Sequence, residues 1–332
     1  MDIVLLVAGI LMAVYGAQFL VDGGTAIAKR FNIPTLVIGS TIVAFGTSMP
    51  EFTVNINAAL NGNTDLAFGN VLGSNLFNIC AIVGVVALIA PLAIAKDVAS
   101  KDLFLCLLSA AAVGIAGNQI YIDQIRYHEL FASSGLLFLM FFAIFMRYVY
   151  GAAVTGAGAS HQAIAEEQGM TSGGDDEKKS PHPMLKATIY VILGLAGLVF
   201  GGEFIVEGAS SLARTIGLSD KAIGLAIVGP GTSFPELIAC IAAARRRDVG
   251  MVMGNVLGSN IFNIFFTLGA TSLIMPIPLD LALNNVILIN FAVTALLFVL
   301  GLALKGRPLG KPVGALLVVT YISYITYALM AQ

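Results

Sequence analysis

The feature that most limits how this chain can fold is a duplication. Residues 39–51 read GSTIVAFGTSMPE and residues 224–236 read GLAIVGPGTSFPE. Each is followed by a near-copy, GNVLGSNLFNI at 69–79 and GNVLGSNIFNI at 254–264. Both pairs stand 185 positions apart without a gap, and GAQFLVDG at 16–23 meets GGEFIVEG at 201–208 at the same offset. One ancestral unit is therefore present twice. Each copy sets a glutamate and several hydroxyls inside apolar sequence, which is costly in a bilayer and marks a function.

That the setting is a bilayer follows from composition. Apolar residues make up 58% of the 332 and charged residues 11%, against about 25% charged in a soluble domain. The apolar runs are too long and too many for a soluble core. A net charge of −2 says little, because most of the chain sits in lipid; no nucleic-acid partner is expected. Cys80, Cys106 and Cys240 lie in apolar runs without a CxxC and read as core thiols. His128, His161 and His182 stand apart near loops, which argues against a zinc or haem site. No nucleophile–base pair, metal cluster or phosphate loop suggests an enzyme, and no cofactor is expected. No basic region precedes the first apolar run, so it reads as a retained helix rather than a cleaved signal.

The pattern predicts ten membrane spans: 3–28, 34–60, 65–90, 100–117, 127–150, 186–213, 220–244, 249–274, 281–304 and 311–331. Residues 151–183 differ, with GAGAS, EEQ, SGG, DDEKK and PHP and no apolar periodicity, and read as a flexible linker. The expected organisation is a first transmembrane repeat over 1–150, a linker over 151–185 and a second repeat over 186–332. Five spans per half is an odd number, so the second half enters the membrane upside down. The expected fold class is thus an all-α integral membrane protein of ten helices. They form two inverted-topology five-helix repeats with broken helices at the midplane, an arrangement common among secondary transporters.

Basic residues give the orientation. With ten spans, Lys29, Arg30, Lys96, Lys101, Arg147, Lys178, Lys179, Lys186, Arg245, Arg246, Arg247, Lys305, Arg307 and Lys311 fall on one side. Only Arg126, Arg214 and Lys221 of the 17 Lys and Arg fall on the other. This predicts a cytoplasmic linker and both termini outside.

The repeated motif carries the chemistry. Glu51 and Glu236 fall deep in spans that run in opposite directions, so their carboxylates can converge. Two buried carboxylates repel unless a proton or cation lies between them. Thr47, Ser48 and Glu51 are spaced to share a helix face, as are Thr232, Ser233 and Glu236. Ser74 with Asn78 and Ser259 with Asn263 are i, i+4 pairs on the next spans. Every candidate ligand is an oxygen, which suits calcium and sodium and not zinc or copper. Pro50 has no N–H for the Gly46 carbonyl and Pro235 none for that of Gly231, so each helix should break there and free carbonyls. A lone membrane Ser or Thr usually bonds its own backbone, and a lone buried Glu can be structural. Recurrence of hydroxyl, proline and glutamate at one spacing in both halves favours an ion site.

At these residues the sequence resembles the sodium/calcium exchanger family of the calcium/cation antiporter superfamily. GTSMPE and GTSFPE, with GSNLFN and GSNIFN, look like its two alpha-repeats, and the short linker is like the compact prokaryotic members. The resemblance covers essentially the whole chain. It implies four cation positions in a diamond, with calcium at the centre. Glu51, Glu236 and the carbonyls of Thr47 and Thr232 would hold calcium. Ser48, Ser74, Ser233, Ser259 and the carbonyls of Ala44 and Gly229 would complete flanking sodium positions, and Asn78 and Asn263 would line the middle. Asn263 departs from the Asp of several relatives, including potassium-dependent exchangers, which argues against potassium co-transport. Pro230 stands where the first half has Phe45, which should alter how Gly229 offers its carbonyl.

The resulting expectation is an electrogenic sodium/calcium antiporter working by alternating access in a prokaryotic cell (inner) membrane. Calcium and sodium are its substrates, lipid is its surroundings, and no obligate protein partner is implied. The resemblance implies three sodium ions per calcium and a first helix in each half that slides on a rigid core. The alternative is a calcium/proton antiporter using the same glutamates. Asp22, Glu203 and Glu207 on those sliding helices read either as cation attractors at the mouths or as interfacial residues with structural partners.

Overall fold

A computed structural model describes residues 2–61, 64–119, 129–155, 184–215, 217, 227, 229–279 and 283–330. The chain runs α1 (Asp2–Phe31), α2 (Thr35–Thr47), α3 (Met49–Leu60), α4 (Ala67–Ile89), β1 (Leu92–Ala93), α5 (Val98–Ala116), β2 (Glu129–Leu130) and α6 (Ala132–Thr155). It continues with α7 (Met184–Thr215), a helical turn Gly229–Gly231, α8 (Phe234–Arg245), α9 (Val249–Ile274), β3 (Ile277–Pro278), α10 (Leu283–Leu304), β4 (Pro308–Leu309) and α11 (Lys311–Met330). Eight of these helices, α1, α4–α7 and α9–α11, are long and apolar enough to cross a membrane. The chain is an all-helical integral membrane protein, with large apolar side chains such as Val7, Leu137, Ile192, Leu288 and Val319 on its outer surface.

The segments carrying GTSMPE and GTSFPE are not among the eight, and each is broken within its described residues. The first turns at Ser48 (φ −87°, ψ 7°) and the second at Ser233 (φ −94°, ψ 7°). Pro50 and Pro235 then lie in the first turn of α3 and α8, where a missing N–H leaves no bond unmade. Proline thus starts the second half-helix, and the serine two residues earlier takes the bend. The backbone changes again in the next helix of each half. Phe77–Ile82 within α4 and Phe262–Leu268 within α9 are π-helical, at equivalent positions. Such turns widen a helix locally and often accompany functional residues.

Glycine sets the closest helix crossings. α1 and α7 pack antiparallel: Gly9 lies against Gly201, Gly16 against Gly194 and Leu198, and Gly23 against Ala187. A Cβ on Gly194 would sit 2.5 Å from the Leu20 nitrogen. α2 crosses α9 as tightly, since a Cβ on Gly254 would sit 2.2 Å from the Leu36 carbonyl oxygen. Close backbone approach through small residues drives helix association in lipid, where apolar burial gives little.

α4 and α9 are the most buried helices and form the centre, with α6 and α11 facing outward. On one side of this centre an aromatic seam joins Phe45, Phe142, Phe262 and Phe266 with ring centroids 4.8–6.0 Å apart. Short connections are tied in pairs. β1 pairs antiparallel with β4 and β2 with β3. Thr35 donates to Asp248 at 2.7 Å, and Asp22 pairs with Arg246. Asp248 also caps α9 by accepting from the Met251 N–H at 3.0 Å.

Two boundaries differ from the sequence expectation. The span expected at 127–150 is helical from Ala132 to Thr155, because Glu129–Leu130 is taken up in pairing with Ile277–Pro278. The helix therefore continues past Gly151, where the linker was expected to begin. Most of that linker, the start of the span expected at 220–244, and His128, His161 and His182 lie outside the described residues.

Candidate cation site

The bends at Ser48 and Ser233 bring the two motifs together in the centre of the protein. Thr47, Ser48, Glu51, Ser74, Asn78, Ser233, Glu236, Ser259 and Asn263 are all 0% exposed. Thr232 is half-buried. Ala44 is buried at the end of the π turn Gly39–Val43, and Gly229 opens the short helical turn before Ser233.

Each half completes the other. The Ser48 hydroxyl donates to Glu236 Oε1 at 2.8 Å, and the Ser233 hydroxyl donates to Glu51 Oε1 at 2.8 Å. The Thr47 hydroxyl instead donates back to the Val43 carbonyl at 3.0 Å. Hydrogen bonds to a carboxylate are among the stronger ones, and each glutamate keeps its second oxygen out of them. Glu51 Oε2, Glu236 Oε2, Ser74 Oγ, Ser259 Oγ, Asn78 Oδ1 and Asn263 Oδ1 are buried, and none has a hydrogen-bond partner among the described residues. The six form three pairs related by the 185-residue offset. Buried polar atoms are normally satisfied, so these oxygens carry acceptor capacity that the described residues leave unused.

The donor chemistry is hard. Carboxylate, hydroxyl and amide oxygens suit sodium and calcium. Among the described residues no three His, Cys, Asp or Glu side chains gather as a transition-metal site. Cys240 lies near the site, but its sulfur receives a hydrogen bond from Asn255 at 3.3 Å, so it serves as a buried packing thiol.

The halves differ at one place. The Ser48 N–H bonds the Ala44 carbonyl, four residues back, at 3.0 Å, whereas the Ser233 N–H bonds the Pro230 carbonyl, three residues back, at 3.0 Å. Pro230 stands at this place, where the first half has Phe45. The Ala44 carbonyl is therefore engaged by the bend in a way that the Gly229 carbonyl is not.

Several buried polar residues at the site were not picked out from the sequence. Asn55 donates to the Glu51 carbonyl at 2.7 Å, and Asn255 donates to the Glu236 carbonyl at 3.4 Å while its Oδ1 lies 3.3 Å from the Thr47 hydroxyl. Asn75 and Asn260 pair with each other across the halves. Their signal was available in the duplicated GSN, where each follows its serine directly. Asp22 meets Arg246, so of the two readings for that residue the structure supplies the structural partner. Glu203 and Glu207 lie exposed on α7.

The family described as sodium/calcium exchanger protein matches residues 1–151 and 186–330. The putative antiporter CaxA of Alkalimonas amylolytica is 34% identical, over 97% of this chain and 96% of its own. The sodium/calcium exchanger MaX1 of Methanosarcina acetivorans is 28% identical over 98% of this chain and 97% of its own. Among solved structures, the sodium-calcium exchanger NCX_Mj soaked with zero Na+ and Ca2+ is similar with a TM-score of 0.80 and 29% identity, over 98% of each chain.

Proposed function

The chain belongs to the sodium/calcium exchanger family, and we propose that it exchanges sodium for calcium across the membrane by alternating access, electrogenically and without potassium. The observation that carries this reading is the set of six unpartnered oxygens on Glu51, Glu236, Ser74, Ser259, Asn78 and Asn263. Two carboxylates match the charge of one calcium ion. The hydroxyls and amides add neutral ligands for sodium ions that have shed water. Calcium and sodium share the glutamates, so the site holds one set or the other, and competition couples the fluxes without ATP. Both carboxylates are fully buried, and leaving two such charges uncompensated would cost several kcal/mol. That cost disfavours a return of the site across the membrane without cations.

Ten spans in two inverted repeats fit this reading. The broken segments at Ser48 and Ser233 supply the two spans beyond the eight unbroken helices. β1 with β4, β2 with β3, Asp22 with Arg246, Thr35 with Asp248 and Tyr148 with Asp102 each join segments that ten alternating spans put at the same face. The contacts of α1 with α7 support a two-fold relation, because the pair Gly9–Gly201 becomes the pair Gly194–Gly16 when the offset is applied. The first repeat runs to the end of α6 at Thr155 and the second begins with α7 at Met184, with the linker between them. The excess of Lys and Arg favours a cytoplasmic linker with both termini outside, and the compact layout favours a prokaryotic inner membrane.

A calcium/proton antiporter would use the same two glutamates. It has no need of paired hydroxyl and amide oxygens without hydrogen bonds, and these favour sodium. Calcium uptake driven by a sodium gradient, and lost in Glu51→Gln and in Glu236→Gln, tests the proposal. Normal sodium-dependent uptake in either variant would refute the site.

A further inference from the structure

Asn75 and Asn260 stand outside the expected ligand set, yet they are 1% exposed and lie between the two halves. Asn75 Nδ2 donates to the backbone carbonyl of Asn260 at 3.1 Å, and Asn260 Nδ2 donates to the backbone carbonyl of Asn75 at 3.3 Å. A carbonyl oxygen can only accept, so these two bonds fix which end of each amide points where. The side-chain oxygens are thereby turned to the neighbouring asparagines. Asn263 Nδ2 donates to Asn75 Oδ1 at 3.1 Å, and Asn78 Nδ2 donates to Asn260 Oδ1 at 3.0 Å. An amide oxygen also only accepts. Asn78 and Asn263 must therefore present their NH2 groups to it, and their own oxygens are left without a hydrogen-bond partner among the described residues.

We infer that Asn75 and Asn260 are positioning residues, which lock the amides of Asn263 and Asn78 so that oxygen, and not NH2, is offered to the transported cations. A reversed amide would aim N–H dipoles at the cation and set two acceptor oxygens against each other at the pairing. The lock crosses the halves, as the serine–glutamate bonds do: Asn75 of the first motif holds Asn263 of the second, and Asn260 holds Asn78. The π turns that begin at Phe77 and Phe262 fall where these amides must reach both their partner and the site. The inference rests on the reading of these residues as a cation site, but not on which ion is exchanged for calcium.

A double-mutant cycle separates orientation from plain helix–helix adhesion. The full-length protein in detergent is used, with folding checked by thermal unfolding. Calcium-45 binding and its displacement by sodium are measured for Asn75→Ala, Asn263→Ala and their double, and for Asn260→Ala, Asn78→Ala and their double. Each positioning variant should weaken cation binding about ten- to a hundredfold, as loss of an outer partner to a metal ligand commonly does. Because each acts through its partner, the crossed doubles should bind no more weakly than Asn263→Ala and Asn78→Ala alone. Wild-type binding in Asn75→Ala and Asn260→Ala, or multiplicative losses in the crossed doubles, would overturn the inference. Should Asn75→Ala fail to fold, the Asn260 and Asn78 cycle makes the same test from the other half. Undiminished calcium binding in Glu51→Gln would overturn the site itself, a failure distinct from that of the positioning role.

Discussion

The Ser48 hydroxyl donates to Glu236 Oε1 at 2.8 Å, although 188 residues separate the two in sequence. Its counterpart from Ser233 to Glu51 has the same length. Each glutamate is thus oriented by the motif of the opposite half, and the site exists only where both copies meet. Ser48→Ala and Ser233→Ala should each raise the calcium concentration for half-maximal uptake about ten- to a hundredfold, from loss of one charge-assisted hydrogen bond of about 1.5–3 kcal/mol. Calcium-45 uptake against calcium concentration measures this. An unchanged half-saturation value in both variants would show that the serines do not hold the carboxylates.

Glu51→Gln and Glu236→Gln should each abolish calcium transport rather than weaken it, because one remaining carboxylate cannot balance a divalent cation in a fully buried site. The variants are isosteric and, with one buried charge fewer, should be at least as thermally stable as the cation-free parent. Transport and unfolding measured on the same preparations separate loss of charge from loss of fold.

Asn263→Asp should be more disruptive than its size suggests. A carboxylate has no N–H to give Asn75 Oδ1, so the bond at 3.1 Å is replaced by two opposed oxygens, and the site gains a third negative charge. Exchange should fall, and potassium should alter the rate of the Asp form only. If potassium leaves both forms unchanged, residue 263 has no part in potassium selectivity.

Gly254→Ala should cost about 1–3 kcal/mol of stability by overpacking, because its Cβ would meet the Leu36 carbonyl oxygen at 2.2 Å and neither backbone can yield. Thermal unfolding in detergent should show a clear fall. An unchanged midpoint would mean that α2 and α9 can separate at no cost.

Asp248 gives a pH dependence outside the spans. Burial pushes its carboxyl above the ordinary value, while the Met251 N–H and the Thr35 hydroxyl pull it back. A carboxyl raised on folding binds its proton more tightly in the native state, so its contribution to stability is complete below the unfolded value and is lost as pH rises through the folded one. Asp248→Asn keeps an acceptor for the cap and cannot ionise. It should flatten the stability profile over that window and match the parent at its acid end. A profile with the parent's slope would remove Asp248 as the source.

Much of the architecture was legible because the chain states it twice. The offset of 185 picked out glutamates, serines and asparagines that the fold brings together in one buried centre. Long apolar runs marked the membrane helices, and proline marked the broken ones. What the sequence could not display were relations that depend on the folded pair. The exchange of serines between halves is a long-range contact with no local signal. The bend falls at Ser48 and Ser233 rather than at the prolines, since proline is comfortable in a first helical turn. The π turns at Phe77 and Phe262 arise where buried amides must reach across to the other half. Asn75 and Asn260 lie inside the duplicated GSN and carry no signal of their own, because a residue that orients a ligand is of the same type as the ligand. The two-residue pairing of Glu129–Leu130 with Ile277–Pro278 was too short to leave a pattern.

The most direct test is calcium-45 uptake into proteoliposomes loaded with sodium and diluted into sodium-free buffer, with a protonophore present. Uptake that requires internal sodium and survives the protonophore is the predicted result. Uptake that ignores sodium and appears only with an imposed pH gradient, protonophore absent, would contradict sodium coupling and assign the two glutamates to calcium/proton exchange.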